Sequence, residues 1–244
     1  MKIIADTHTH TLMSGHAHST VLEMIFAAKA KGLKFLAITD HTGIMPGAPK
    51  DVYFACLRST LPEQYEGVYL LRGCEVNILD ENGTVDLPKG LLKSLDWVIA
   101  SIHSYVTAPM DFHQCTKLWT AIAENPDVDV IGHCGEEKFK FDYEKVIPLF
   151  AENGKIVEIN ASSFKNRPSC KENCMQIARL CWEHGVSLVV SSDAHFAGSV
   201  GDVALAMDML RAHGIPEEAI LNTDAQRFTE KLREITEREF TVSL

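Results

Sequence analysis

Seven short apolar segments of this chain each end in a polar or metal-binding residue, and this repetition constrains the fold more than any other feature. The segments span residues 3–10, 35–41, 69–75, 97–103, 128–133, 156–160 and 188–195. Side chains that serve packing alone have no reason to recur at the downstream end of every segment. In parallel α/β barrels, catalytic residues collect at that end of the strands. The pattern therefore predicts a metal-dependent enzyme.

The stretches between these segments have the period of amphipathic helices. Helices are predicted from residue 21 and over residues 110–124, 143–152, 171–183 and 202–212, with Pro, Gly or Asn at their boundaries. Strands that alternate with helices pair in parallel through right-handed crossovers. We therefore expect a single α/β domain over residues 1–244. Residues 42–64 are the least regular and predict a long loop with a helix over the site.

Composition excludes several classes of function. The net charge of −10 disfavours a general nucleic-acid partner, because phosphate backbones are held mainly by Lys and Arg. A metal cluster would still supply local positive charge for a small anionic substrate. No apolar run approaches the roughly 18 residues of a membrane span. With only Lys2 and no apolar leader at the start, we expect no signal peptide and a cytoplasmic protein without a membrane partner.

Seven cysteines are present, and none form a CxxC pair. An odd number of cysteines in a chain without a secretion signal predicts reduced thiols. Cys170, Cys174 and Cys181 fall on one predicted helix, but a zinc knuckle would need a second pair nearby. We therefore expect these cysteines to serve packing.

The first segment ends in two histidines separated by one residue. Side chains two apart on a strand share a face, so His8 and His10 can reach the same ion. Asp6 lies on that face too and is expected to orient a ligand. His16 and His18 follow in a loop of small residues that can fold back over the strand end, and only one of the two need be a ligand.

Further metal-binding residues end the other segments. A carboxylate at the position of Glu75 is costly to bury unless it binds a metal. The full set of predicted ligands is His8, His10, His16, His41, Glu75, His103, His133, Asp193 and His195. Nitrogen and carboxylate ligands without thiolates suit Zn, Mn or Fe. Because nine ligands exceed the needs of two tetrahedral ions, we expect three divalent ions.

The motifs DTHTH (6–10), TDH (39–41), GCE (73–75), SIH (101–103), GH (132–133) and SDAH (192–195) resemble those of the PHP (polymerase and histidinol phosphatase) superfamily. The resemblance extends from residue 1 to about residue 230. It looks closest to the short, stand-alone bacterial phosphatases with a trinuclear zinc site. The stretch 158–164, followed by Arg167, also looks like that branch.

This resemblance implies a distorted (β/α)7 barrel with the metal site at the C-terminal ends of its strands. It also implies how the ligands are shared. The first ion would be held by His8, His10, Glu75 and Asp193. The second would be held by His16, His41 and His195, and the third by Glu75, His103 and His133, so that Glu75 bridges two ions.

A site of this kind predicts hydrolysis of a small phosphate monoester. A hydroxide that bridges two metal ions is a nucleophile at neutral pH, and the metals neutralise the phosphate oxygens. Arg167 is the predicted phosphate clamp, because its planar fork matches phosphate oxygens. Asp40 and His18 are proposed for the general acid. The expected substrate is a small phosphorylated metabolite.

Three other functions compete with this prediction. A phosphodiesterase or exonuclease would need a basic, aromatic-lined track, and Lys165, Arg167 and Lys171 form only a small cluster. A hydrolase of C–N bonds would need a lysine at a strand end, and none is found there. A non-catalytic metal-binding or regulatory module would have a closed, thiolate-rich site. Chelation that abolishes phosphatase activity would separate an enzyme from such a module.

Overall fold

The computed structural model describes residues 2–240. Its strands are β1 (Ala5–Asp6), β2 (Phe35–Ile38), β3 (Gln64–Tyr65), β4 (Val68–Asn77), β5 (Trp97–Ser101), β6 (Val130–Ile131), β7 (Ile156–Asn160) and β8 (Ser187–Ser191). Seven of these strands pair in parallel in the order β1-β2-β4-β5-β6-β7-β8. A parallel bridge between Thr9 and Ala194 joins the two ends of the sheet. The fold is thus a nearly closed (β/α)7 barrel, as predicted.

Helices lie between the strands. They are α1 (Val21–Ala30), α2 (Asp51–Thr60), α3 (Lys89–Leu92), α4 (Phe112–Glu124), α5 (Tyr143–Glu152), α6 (Ala161–Asn166), α7 (Lys171–His184), α8 (Ala204–Ala212) and α9 (Ala225–Thr236). The helices predicted at 110–124, 143–152, 171–183 and 202–212 are confirmed within two residues at each end. The helix expected within residues 42–64 is α2.

The sequence pattern did not predict the short strand β3. It pairs antiparallel with β4 through a two-residue turn at Glu66 and Gly67. Both turn residues have positive φ, 53° and 81°, which is the backbone that a tight hairpin of this type requires. An Asn-Gly or Asp-Gly pair would have announced the hairpin, whereas Glu-Gly does not.

The lower half of the barrel is filled by apolar side chains. Along β2, Phe35 and Ala37 belong to the interior cluster, while Leu36 and Ile38 pack with the surrounding helices. This alternation is the two-residue period of a strand with both faces covered. Phe228 of α9 packs edge-on against Phe35, with ring centroids 5.1 Å apart. Helix α9 therefore closes the N-terminal end of the barrel and leaves the C-terminal end open.

The structure bears on two expectations from the sequence, one about membrane-spanning segments and one about the cysteines. Within residues 2–240, no helix is both long and apolar enough to span a bilayer. All seven cysteines are free thiols, and only Cys56 is exposed. Cys170 and Cys174 are buried among apolar side chains, as packing residues are.

Candidate metal centre

The open end of the barrel gathers all nine side chains that the sequence predicts as metal ligands. Glu75, two residues before the end of strand β4, lies at their centre and is 1% exposed. Its Oε1 lies 3.0 Å from His133 Nε2 and 3.3 Å from His103 Nε2. Its Oε2 lies 2.7 Å from His41 Nδ1 and 3.4 Å from His8 Nε2. One buried carboxylate therefore faces ring nitrogens from four different loops.

The remaining predicted ligands flank this centre. His8 Nε2 and His10 Nε2 are 3.0 Å apart, so the two histidines of the first segment do face one point. Asp193 Oδ1 lies 3.2 Å from His10 Nε2. On the outer side, His16 Nε2 lies 3.0 Å from His195 Nε2.

Three groups of these side chains bring potential ligand atoms within 4.8 Å of one another. They are His8, His10 and Glu75; His10, His41 and His195; and His41, Glu75 and His103. The first group lies within the predicted first set. The second and third differ from the predicted sets, because His10 stands where His16 was expected and His41 where His133 was expected. In the structure, His10, His41 and Glu75 each belong to two groups, whereas the sets that the resemblance implies share only Glu75.

The atoms of this cluster fit a metal better than they fit one another. His41 Nδ1 and Glu75 Oε2 lie 2.7 Å apart, yet neither makes a hydrogen bond within residues 2–240 although both are buried. A buried polar atom without a partner is costly, so such a pair calls for a missing partner. His8 Nε2 and His10 Nε2 lie 3.0 Å apart, so either a proton or a metal ion must lie between these two nitrogens. The donor set of imidazoles and carboxylates suits zinc, manganese or iron.

In three of the histidines, the Nδ1 atom, which faces away from the centre of the cluster, contacts a polar side chain. His8 Nδ1 donates to Glu158 Oε1 at 2.7 Å, and His103 Nδ1 donates to Asn77 Oδ1 at 2.8 Å. His10 Nδ1 lies 2.9 Å from Ser14 Oγ. Metal-binding histidines have such partners, because the partner fixes the tautomer and aims the other nitrogen. The geometry therefore aims the Nε2 atoms of these three histidines at the centre.

Sequence reasoning missed these three partners. Glu158 was noticed only as part of a family-like stretch, yet it also accepts hydrogen bonds from the backbone N–H of His133 and from Ser191 Oγ. Its position on the interior face of β7, two residues after the apolar Ile156, was the available signal. Asn77 and Ser14 gave no such signal, because an amide or a hydroxyl near a strand end is common in loops.

Asp6 lies against the loop that carries Asp193 and His195. Its carboxylate accepts hydrogen bonds from the backbone N–H of Ser192, from Ser192 Oγ and from the backbone N–H of Gly201. Asp6 thus ties the first strand to this loop and helps to close the barrel at the site. It reaches the predicted ligands through Ser192, the neighbour of Asp193, and its expected role in orienting a ligand stays a prediction.

The protonation states in the cluster also suit metal binding. Burial lowers the pKa of His10 well below its usual value, and the neighbouring His41 adds to this effect. Burial opposes the ionisation of Glu75, but His8, His103 and His41 outweigh it and hold its pKa well below the usual range. Metal ligands must be neutral imidazoles and ionised carboxylates, and these two groups meet that condition.

His8 is the exception. Burial acts to lower its pKa, but the carboxylates of Glu158 and Glu75 outweigh burial and raise the pKa well above the usual value. A proton therefore occupies His8 when no other cation lies between these carboxylates. Binding of a metal at this position would displace that proton.

Two predicted ligands sit on strained backbone. His133 has φ of 21° and Asp193 has φ of 52°, a region that residues other than glycine seldom adopt. Strained backbone of this kind concentrates at functional sites. Gly132, which precedes His133, has no room for a side chain, because an added Cβ would lie 2.1 Å from Ser101 Oγ. The backbone is therefore fixed where it presents His133 to Glu75.

A cavity of about 880 Å³ opens above the cluster. Its wall includes the predicted clamp Arg167, together with Lys138 and the exposed Tyr105. Arg167 Nη1 lies 3.0 Å from Glu136 Oε2 and 3.5 Å from His133 Nδ1. Arg167 is therefore held beside the predicted metal ligands and borders the space that a substrate would enter.

Asp40, the other predicted catalytic residue, lies behind the cluster. Its two carboxylate oxygens accept four hydrogen bonds, from the backbone N–H and hydroxyl of Thr11, from Ser14 Oγ and from the hydroxyl of Tyr53. It is fully buried and does not border the cavity. These contacts favour a positioning role for Asp40 over direct proton donation.

Comparisons with known proteins agree with this geometry. A family model described as the PHP domain matches residues 6–162. A protein named probable phosphatase from Thermoanaerobacter pseudethanolicus is 46% identical over 236 residues, which cover 96% of each chain. A probable phosphatase from Acetivibrio thermocellus is 41% identical over 238 residues, which cover 98% of each chain.

A solved structure shares the fold. Histidinol phosphate phosphatase from Lactococcus lactis, determined with zinc, L-histidinol and phosphate, superposes with a TM-score of 0.61. The match covers 88% of this chain and 95% of that one, with 16% sequence identity. At this identity the likeness establishes the barrel architecture alone.

Proposed function

This chain belongs to the PHP domain family, and from that premise we propose that it is a metal-dependent phosphatase that hydrolyses a small phosphate monoester. The observation that carries the proposal is the clustering of nine imidazole and carboxylate side chains around and beside the buried Glu75, beneath an open cavity. The names of the relatives support a phosphatase, and the donor set supports a divalent metal.

We propose three divalent ions, most consistent with zinc, with manganese or iron as alternatives. His8, His10, Glu75 and Asp193 would hold one ion, His16, His41 and His195 a second, and Glu75, His103 and His133 a third. When bound, such ions supply an acidified water as the nucleophile and positive charge for the phosphate oxygens. Glu75 lies within reach of several histidines through both of its oxygens, which supports a bridging role.

The residues of the chain itself orient the substrate. Arg167 lines the cavity and contacts Glu136 and His133 through Nη1, which leaves its other guanidinium N–H groups for phosphate oxygens. Glu136 holds the guanidinium in place without taking up all of its donors. Lys138 adds a second positive charge to the same wall. A cavity of about 880 Å³ suits a small metabolite, in keeping with a phosphomonoester substrate.

Arg167→Lys is expected to weaken substrate use about 10-fold to 100-fold in kcat/KM, mainly through a higher KM. A lysine keeps the charge but loses the two-pronged contact with phosphate. Steady-state kinetics with p-nitrophenyl phosphate would measure the change. Arg179→Lys is the matched control, because Arg179 lies on the surface of α7 and forms an ion pair with Glu183. Equal kinetics for both variants would rule out Arg167 as the clamp.

The proposed function is tested by metal content and turnover measured on the same preparation. We expect about three metal ions per chain by mass spectrometry. We also expect hydrolysis of p-nitrophenyl phosphate that a chelator abolishes and added zinc restores. Full metal content without turnover would contradict the phosphatase proposal and favour a diesterase or a non-catalytic module. A chain that retains no metal would overturn the ligand assignment itself.

A further inference from the structure

The hydroxyl of Ser14 lies between His10 and Asp40, and all three residues are fully buried. Ser14 Oγ is 2.9 Å from His10 Nδ1 and 2.7 Å from Asp40 Oδ1. The backbone N–H of His41 also donates to Ser14 Oγ, at 3.2 Å. One hydroxyl thus has three polar neighbours but only one proton to donate.

The contacts of Asp40 decide where that proton goes. Besides Ser14, its oxygens accept from the Thr11 backbone N–H at 2.7 Å, the Thr11 hydroxyl at 2.8 Å and the Tyr53 hydroxyl at 2.6 Å. A carboxylate that accepts four hydrogen bonds has used its lone pairs and acts only as an acceptor. Ser14 must therefore donate to Asp40, and its own lone pairs remain for His41 N–H and for His10.

The hydroxyl of Tyr53 remains a donor throughout the working range of pH. Burial, together with the neighbouring Asp40 carboxylate, raises the pKa of Tyr53 far above its usual value. Tyr53 lies on α2, the helix that spans residues 51–60. The hydrogen-bond chain thus runs from α2 through Asp40 and Ser14 to His10.

We propose that Tyr53, Asp40 and Ser14 form a relay that fixes His10 with its proton on Nδ1. In that tautomer the lone pair of His10 Nε2 is free, and Nε2 is the atom that lies 3.0 Å from His8 Nε2 and 3.2 Å from Asp193 Oδ1. Asp40 is then a positioning residue that acts through Ser14. The inference rests on the proposed metal-dependent function, because a metal ligand needs that free lone pair.

This relay differs from the support of the other histidines. His8 and His103 each rely on one direct partner, Glu158 and Asn77. His10 instead depends on a chain of three side chains from two separate loops and a helix. His10 also belongs to two of the three ligand groups, so its tautomer affects two metal positions. The position of α2 therefore affects how tightly the site retains its metal ions.

Ser14→Ala and Tyr53→Phe test the relay in the full-length, zinc-loaded protein. Zinc affinity is measured by competition with a chelator, zinc per chain by mass spectrometry, and folding by thermal unfolding. Ser14→Ala should weaken zinc binding by about 10-fold to 100-fold, because His10 Nδ1 loses its acceptor. Tyr53→Phe should cause a smaller loss, about threefold to tenfold, because it acts through two further hydrogen bonds.

Matched controls remove hydroxyls that do not belong to the relay. Ser163→Ala and Tyr143→Phe each remove a buried hydroxyl that has no hydrogen-bond partner among residues 2–240. Both controls should keep wild-type zinc affinity. A lower melting temperature with unchanged zinc affinity in Ser14→Ala would show a purely structural role and overturn the relay. If Ser14→Ala does not fold, unchanged zinc affinity in Tyr53→Phe overturns it instead.

The wild-type protein separates failure of the relay from failure of the proposed function. Wild type that binds zinc, with variants that bind it equally well, refutes the relay alone. Wild type that binds no zinc, manganese or iron refutes the metal-dependent function and the relay with it.

Discussion

Replacement of Glu75 by Gln is expected to lower phosphatase turnover by about 10³-fold or more and to strip metal from the purified chain. Both oxygens of this carboxylate face ring nitrogens of the cluster, from 2.7 Å at His41 to 3.4 Å at His8. An amide of the same shape removes the negative charge at the centre. Without that charge the site would bind its metal ions weakly and lose the nucleophile and the charge stabilisation they would supply; a 10³-fold loss corresponds to about 4 kcal/mol of activation free energy.

The measurement is metal content and kcat for Glu75→Gln beside those of Glu81→Gln. Glu81 forms an ion pair with Lys117 at the surface, so its loss should change activity less than twofold. Circular dichroism would show that the barrel remains folded. Turnover of Glu75→Gln within tenfold of wild type, with its full metal content, would contradict the central role of this carboxylate.

Replacement of His41 by Ala is expected to abolish measurable turnover while the fold remains largely intact. His41 belongs to two of the three ligand groups, and in the described part of the chain its Nδ1 makes no hydrogen bond that the fold would lose. Its ring borders the open cavity, so water can fill the space that the smaller side chain leaves. The expected loss is at least about 10²-fold in kcat, or about 3 kcal/mol.

His113→Ala provides the comparison for His41→Ala, because His113 is an exposed histidine on α4 that belongs to none of the three ligand groups. It should retain wild-type kinetics and metal content. Thermal unfolding of both variants would separate a loss of chemistry from a loss of structure. Near-wild-type activity of His41→Ala would refute the proposed metal-dependent mechanism.

The barrel was predictable because its signals are local. The polar residue after each apolar run indicated both a parallel strand and the end at which the site is built, as in residues 35–41. The helical period, together with the Asn, Pro and Gly residues at the helix ends, predicted the bounds of α4, α5 and α7 to within two residues. The turn before β4 was not predicted, because Glu66 adopts a positive φ without a sequence signal for it.

The site was predictable in its membership and less so in its geometry. His8 and His10 share a strand face by a simple two-residue rule, and their Nε2 atoms do meet at 3.0 Å. The side of Asp6 was equally predictable, but its partners proved to be Ser192 and Gly201, which are distant in sequence. The spacing of residues along a strand determines which face a side chain lies on. Its hydrogen-bond partner depends on which loop packs against that face.

The sequence by itself determined that this chain forms an α/β barrel and that histidines and carboxylates collect at one end of it. That information resides in residue type and in periods of two and 3.6, which need no long-range contact to be read. Only the tertiary structure decided that Glu158 holds His8 and that Ser14 and Asp40 hold His10. A tautomer is set by the hydrogen bond on the far nitrogen, and that bond is formed by residues up to 150 positions away.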